Sequence, residues 1–229
     1  MNENLSTQDP KFTKWIKWVD VIHKDTESIL LNKEIHSRYL EIVKANIDIQ
    51  SPSDFHEWSI RNYGSYVVMA IRRQLDCDND VISLKRLLTE LKDSPQLLTK
   101  KWFRSLYSSS DNNLPIPIES FADGDFESHA GSMEHFDPAI AETDLLKLET
   151  LGKTIAHYAN KQIAHRTKVK TSVTFSEINA FLEEFENILK KYILLFTASG
   201  YTSLTPVFQY DWEVIFTKVW IKPRTDYGE

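Results

Sequence analysis

Within the stretch Tyr158-Ala159-Asn160-Lys161-Gln162-Ile163-Ala164-His165-Arg166-Thr167, an amide, a lysine, a histidine and an arginine fall inside seven positions. An imidazole titrates near neutral pH, so His165 can take a proton from a ribose 2′-hydroxyl or return one to a leaving oxygen. Asn160, Lys161 and Arg166 are donors of the kind that hold phosphate oxygens. On a 3.6-residue helix Lys161 and His165 share a face, and Asn160 lies about 140° from His165. This set suits phosphate binding or phosphodiester chemistry better than acyl transfer, and no G-x-S-x-G elbow occurs. The same residues also have a plain structural reading: His and Arg in a last helical turn complement the helix dipole.

Arg73 is the next candidate. It falls on the helical side of Phe55 and Tyr66, whereas Arg61, Ser65 and Arg72 read as a solvent face. A guanidinium on an apolar side needs a partner. Asp76, three residues on, is the local one, and a cleft facing His165 is the functional alternative. No metal site and no cofactor are expected. His157 and His165 stand two turns apart with the cationic Lys161 between them, which speaks against zinc. His129 and His135, with Asp123, Asp125, Glu127 and Glu134, match no compact ligand spacing. The run Asp76-Cys77-Asp78-Asn79-Asp80 lacks the glycine of a calcium loop, and Leu87 stands where its twelfth-position Glu belongs. The single cysteine, Cys77, forms no internal disulfide or CxxC site and fits a reducing cytoplasm.

These residues need a scaffold, and the chain predicts a mainly α one. Of 229 residues 41% are hydrophobic, enough for a real core, and only 6 are glycine, with no GxGxxG or Walker-type phosphate loop. A net charge of −6 argues against a generally basic nucleic-acid coat, though a local basic site is compatible with it. No signal peptide and no membrane span are expected. Asp9-Pro10 opens a first helix, and a second is expected from about 26 to 47. A third, from about 52 to 75, is apolar nearly all round and is predicted to lie centrally. Asp80 is expected to cap a helix running to Leu91, and a short one follows around 97–107. The pattern then fails from about 108 to 140, which reads as a long loop. Periodicity returns at Asp144 and runs through Leu145, Leu148, Leu151, Ile155 and Tyr158. The last helix is predicted from Phe175 to Ser199, with Thr174 and Glu177 as a capping box and Gly200 as C-cap. The short link between these two makes them antiparallel neighbours. The expected architecture is an antiparallel helical bundle over 1–205 with a short extended or β appendage over 206–229, packed on the bundle. Trp212 and Trp220 with Lys218, Lys222 and Arg224 are able to stack on single-stranded nucleic acid, but packing onto the helices is the stronger reading.

The run from Ile71 to Thr99, with its Arg72-Arg73 pair, followed by Tyr158-Ala159-Asn160-Lys161-Gln162-Ile163-Ala164-His165-Arg166-Thr167, resembles the HEPN superfamily, most closely its abortive-infection-type (AbiU2-like) branch. The likeness covers roughly residues 55–200. It implies a helical bundle that forms a homodimer, and metal-independent RNA endonuclease activity through an R-x4–6-H motif at a helix end. His165 matches the family histidine and Asn160 the polar residue after the family arginine. Counting back from His165, the arginine slot falls on Tyr158, Ala159 or Asn160, none of which is arginine. The resemblance leaves two readings. One is a nuclease or toxin of antiviral defence or a toxin–antitoxin system, with His165 and Asn160 catalytic and Arg166, Lys161 and Arg73 on RNA phosphate. The other is an inactive module that binds a partner protein, nucleotide or RNA as sensor or scaffold; an antitoxin or other defence protein is a partner under either.

Overall fold

The computed structural model describes residues 9–51, 53–108, 118–164 and 172–220. Its α1 spans Pro10–Ala45, opened by Asp9, whose carboxylate accepts from the Lys11 amide at 2.7 Å. At 36 residues it is about 54 Å long. The sequence pattern divides this stretch into two helices; the structure joins them. Thr26, which resembles a cap, donates its hydroxyl to the Ile22 carbonyl at 2.7 Å, so the presumed break carries no orphan backbone group.

The remaining helices are α2 (Asp54–Gln74), α3 (Leu84–Asp93), α4 (Lys100–Ser108), α5 (Ile118–Ala130), α6 (Pro138–Tyr158) and α7 (Phe175–Thr197). Cross-contacts give the orientations. Asp25 meets Arg73 and Ser28 meets Tyr66, so α1 and α2 are antiparallel. Asp144 meets Tyr192 and Lys147 meets Glu184, so α6 and α7 are antiparallel, as their short link requires. Phe12 packs on Phe196 and His36 on Phe175, tying α7 back to α1. The bundle α1–α2–α6–α7 therefore closes on itself, with α3 laid on α6, and α4 and α5 paired at one end. Trp15, Ile22, Leu148, Phe181 and Leu189 lie in one buried core.

Four expectations change. The first half of α2 is not central: Phe55 and Trp58 are 51% and 61% exposed, and burial begins at Val67. The α3 cap is Ser83, which accepts from Arg86, rather than Asp80. The expected loop contains α5, held on α4 by Arg104–Asp123, Lys100–Glu127 and Tyr107–Asp125. Those pairs also occupy Asp123, Asp125 and Glu127. The tail shows no strand among the described residues; a 3-10 turn, Trp212–Thr217, rests against α1 through the Arg38–Glu213 ion pair at 2.7 Å. Among the described residues the one β-bridge joins Thr99 to His135, away from the tail.

Both ends of α7 obey local chemistry. Thr174 and Glu177 form the expected reciprocal capping box. At the other end the left-handed residue is Ala198 (φ 54°), two positions before the expected glycine. Inside the bundle Asp144 is buried but satisfied: it accepts from the Tyr192 hydroxyl at 2.7 Å and pairs with Lys191 at 2.5 Å. Burial first, then the adjacent carboxylate, pushes the Tyr192 phenol well above its ordinary range.

Gly152 is where α6 crosses its neighbours most closely. A Cβ there would meet Leu75 Cδ1 at 2.3 Å and Phe181 Cε2 at 3.1 Å. Alanine gains up to about 1 kcal/mol in helix propensity, yet overpacking costs about 1–3 kcal/mol. Gly152→Ala is expected to lower stability by about 1 kcal/mol, read as a lower urea midpoint at unchanged m-value.

Candidate functional site

The site grows out of the end of α6. Beyond Tyr158 the chain does not fray but widens into a π-helical turn over Ala159–Ala164. Such turns displace side chains from regular helical positions and recur at functional sites. The 3.6-residue spacing assumed for Asn160, Lys161 and His165 thus does not apply across this turn. Ala159 is fully buried, while Asn160 and Lys161 face outward. The family arginine slot, placed on Ala159, is consequently a core position here.

A guanidinium nevertheless stands beside Asn160. Arg72, in the last turn of α2, donates its Nε to Asn160 Oδ1 at 2.5 Å. The antiparallel packing of α2 on α6 brings these residues together across 88 positions of sequence. With Oδ1 engaged, the amide nitrogen of the exposed Asn160 remains as a pair of donors. Arg72 is also electrostatically distinctive. Arg38, Arg61, Arg73, Arg86 and Arg104 each pair with a carboxylate. Among the described residues Arg72 is the one arginine with no such pair. Its charge is held at a fixed point and not neutralised there, which is what an anionic ligand requires.

Arg73 is placed elsewhere. It pairs with Asp25 on α1 at 2.6 Å, and Gln74 donates to the other oxygen of that carboxylate at 2.7 Å. Asp76, its candidate local partner, instead accepts from the Asp78 amide in the following turn. The structure therefore brings Asn160 and Arg72 together, presents Lys161 on the same turn, and commits Arg73 to α1. His165 and Arg166 lie outside the described residues. Arg72 escapes a helical-wheel reading, which groups it with Arg61 on the solvent face. The available signal is the doublet itself: adjacent arginines point about 100° apart, so a pair at a helix end faces two neighbours. Among the described residues no group of three or more His, Cys, Asp or Glu is arranged to hold a metal, and no helix is long and apolar enough to cross a membrane.

The closed antiparallel bundle is a HEPN-like helical fold, and its penultimate long helix ends in an amide that meets a guanidinium from α2. Over residues 12–215 the chain matches the HEPN family described as AbiU2, and it belongs to that family. No curated protein and no solved structure matches it.

Proposed function

We propose that this AbiU2-family domain is a metal-independent RNA endonuclease acting as a toxin in antiviral defence or a toxin–antitoxin system. The observation that supports this reading most is the Arg72–Asn160 contact at 2.5 Å, which returns a guanidinium to a site whose own arginine slot is a buried alanine. In the proposed reaction His165 takes the proton of the ribose 2′-hydroxyl, and that oxygen attacks the adjacent phosphorus. Asn160 and Arg72, with Lys161 and Arg166, hold the phosphate oxygens on which charge develops. The leaving 5′-oxygen receives a proton, and a 2′,3′-cyclic phosphate remains. Arg73 is assigned a structural role on α1. The proposal includes a homodimer that sets two such sites together, a cytoplasmic setting and an antitoxin or other defence protein as partner.

The buried Ala159 favours a second reading, a non-catalytic module that binds RNA, nucleotide or a partner protein. The two separate in one experiment. Full-length protein treated with chelator is incubated with single-stranded RNA, and product ends are analysed. Cyclic phosphate and 5′-hydroxyl ends are expected from the nuclease; intact RNA at every protein concentration would leave the module.

A further inference from the structure

A second site, a concave one, lies toward the N-terminal end of α2, between it, α1 and the C-terminal turn. Its volume is about 440 Å³, within the range of small-molecule pockets. Its wall carries an unusual group. His36 is 8% exposed, and its Nε2 is buried with no hydrogen-bond partner. Burial holds this imidazole below its ordinary range, which favours the uncharged ring as part of the pocket wall. His23 Nε2 is buried without a hydrogen-bond partner in the same way, so the case for this pocket rests on what lines it.

The surroundings describe a ligand for it. His36 stacks on Tyr63 with centroids 4.0 Å apart and planes 15° from parallel, and Phe175 packs against both rings, 5.6 Å from His36 and 5.7 Å from Tyr63. Trp58, 61% exposed, stands on the α2 rim, and Trp220, 62% exposed, on the tail opposite. Asn62 and Asn32 each donate their amide nitrogen back to their own helix, to Trp58 and Ser28 carbonyls at 2.9 and 2.8 Å. That leaves their carbonyl oxygens as acceptors along the same opening. Flat rings to stack on and amide oxygens at the edge are the complement of a planar heterocycle with donors on its rim.

We infer that this pocket takes an unpaired nucleobase of single-stranded RNA, stacked against Trp58 and read at its edge by Asn62. The inference deepens the RNA-cleaving reading and rests on it for the ligand class. A pocket that reads one base while phosphate is held toward the other end of α2, at Asn160 and Arg72, would select unstacked RNA over duplex, because a paired base cannot leave its helix without loss of stacking.

The test uses full-length protein, individual nucleosides, which carry no phosphate for Arg72 to hold, and a 2′-O-methyl RNA oligonucleotide, which cannot be cleaved by 2′-hydroxyl attack. Tryptophan fluorescence reads binding, with Trp212 and Trp220 still reporting in a Trp58→Ala protein. Saturable quenching by at least one nucleoside is expected, weakened about fivefold or more by Trp58→Ala or Asn62→Ala, both on the exposed rim. Asn160→Ala should leave nucleoside binding unchanged. Absence of saturable binding, as expected if this face instead seats a protein, overturns the inference, and so does wild-type affinity in Trp58→Ala. Either result leaves the cleavage assay free to succeed. Conversely, nucleoside binding without cleavage removes the nuclease reading and keeps the pocket.

Discussion

Arg72→Ala is expected to slow RNA cleavage by about 10²–10³-fold, the effect of removing one preorganised donor from a developing oxyanion. The side chain is half-buried and, among the described residues, its side-chain bond is to Asn160, so the bundle should unfold at nearly the wild-type midpoint. Arg72→Lys should recover only part of the rate, because an ammonium keeps the charge but not the planar fork that engages amide and phosphate together. Arg73→Ala provides the contrast. It breaks a partly exposed ion pair with Asp25, a loss of at most about 1 kcal/mol, and should leave cleavage near wild type. Single-turnover rates for the three proteins check the assignment. Equal losses from Arg72→Ala and Arg73→Ala would mean that the doublet acts through helix stability and not through contact with phosphate.

The largest effect on folding is expected at Trp15. Its ring is completely buried on α1, edge-on to Phe12 with centroids 6.1 Å apart. Its indole N–H donates to Glu90 at 2.8 Å, where Lys14 also binds at 2.7 Å. Removing a buried tryptophan costs about 3–5 kcal/mol, a large share of the 5–15 kcal/mol that holds an ordinary domain together. Trp15→Ala should therefore move the urea midpoint far down without altering the m-value; an unchanged midpoint would contradict the burial. The contact also carries a pH signature. Burial raises the Glu90 carboxyl, but the bonds from Lys14 and Trp15 outweigh it and hold the group below the ordinary glutamate range. A depressed carboxyl stabilises the fold above its unfolded pKa, and that contribution is lost as pH falls through the folded value. Trp15→Phe, which keeps much of the ring but not the N–H, should show a shallower loss of stability on acidification.

Local chemistry was readable where it is complete within a few residues. The Thr174–Glu177 box and the Leu84, Leu87, Leu88 and Leu91 stripe needed no neighbour to be recognised. The continuity of α1 did need one: Thr26 resembles a cap until its hydroxyl is seen to reach Ile22, and the helix bends no backbone group away from its ladder. Residues 118–130 carry too weak a stripe to announce a helix, and their order comes from packing of Phe126 on Phe103 together with charge pairs to α4, which local sequence does not reveal. In the tail, the rings at Phe208, Trp212, Phe216 and Trp220 recur every four residues, a turn-like spacing that competes with the apparent alternation. At the site, the polar cluster from Asn160 onward is legible as a cluster. Its guanidinium partner is not, because the pairing depends on how α2 and α6 are packed and not on any motif.

Cleavage of single-stranded RNA by full-length protein in chelator, compared with His165→Ala under single-turnover conditions, bears on the central claim most directly. The wild-type chain is expected to cut, leaving cyclic phosphate ends, and the variant to lose about 10²–10⁴ in rate while melting normally. Identical rates from the two proteins would contradict general acid–base chemistry at that imidazole.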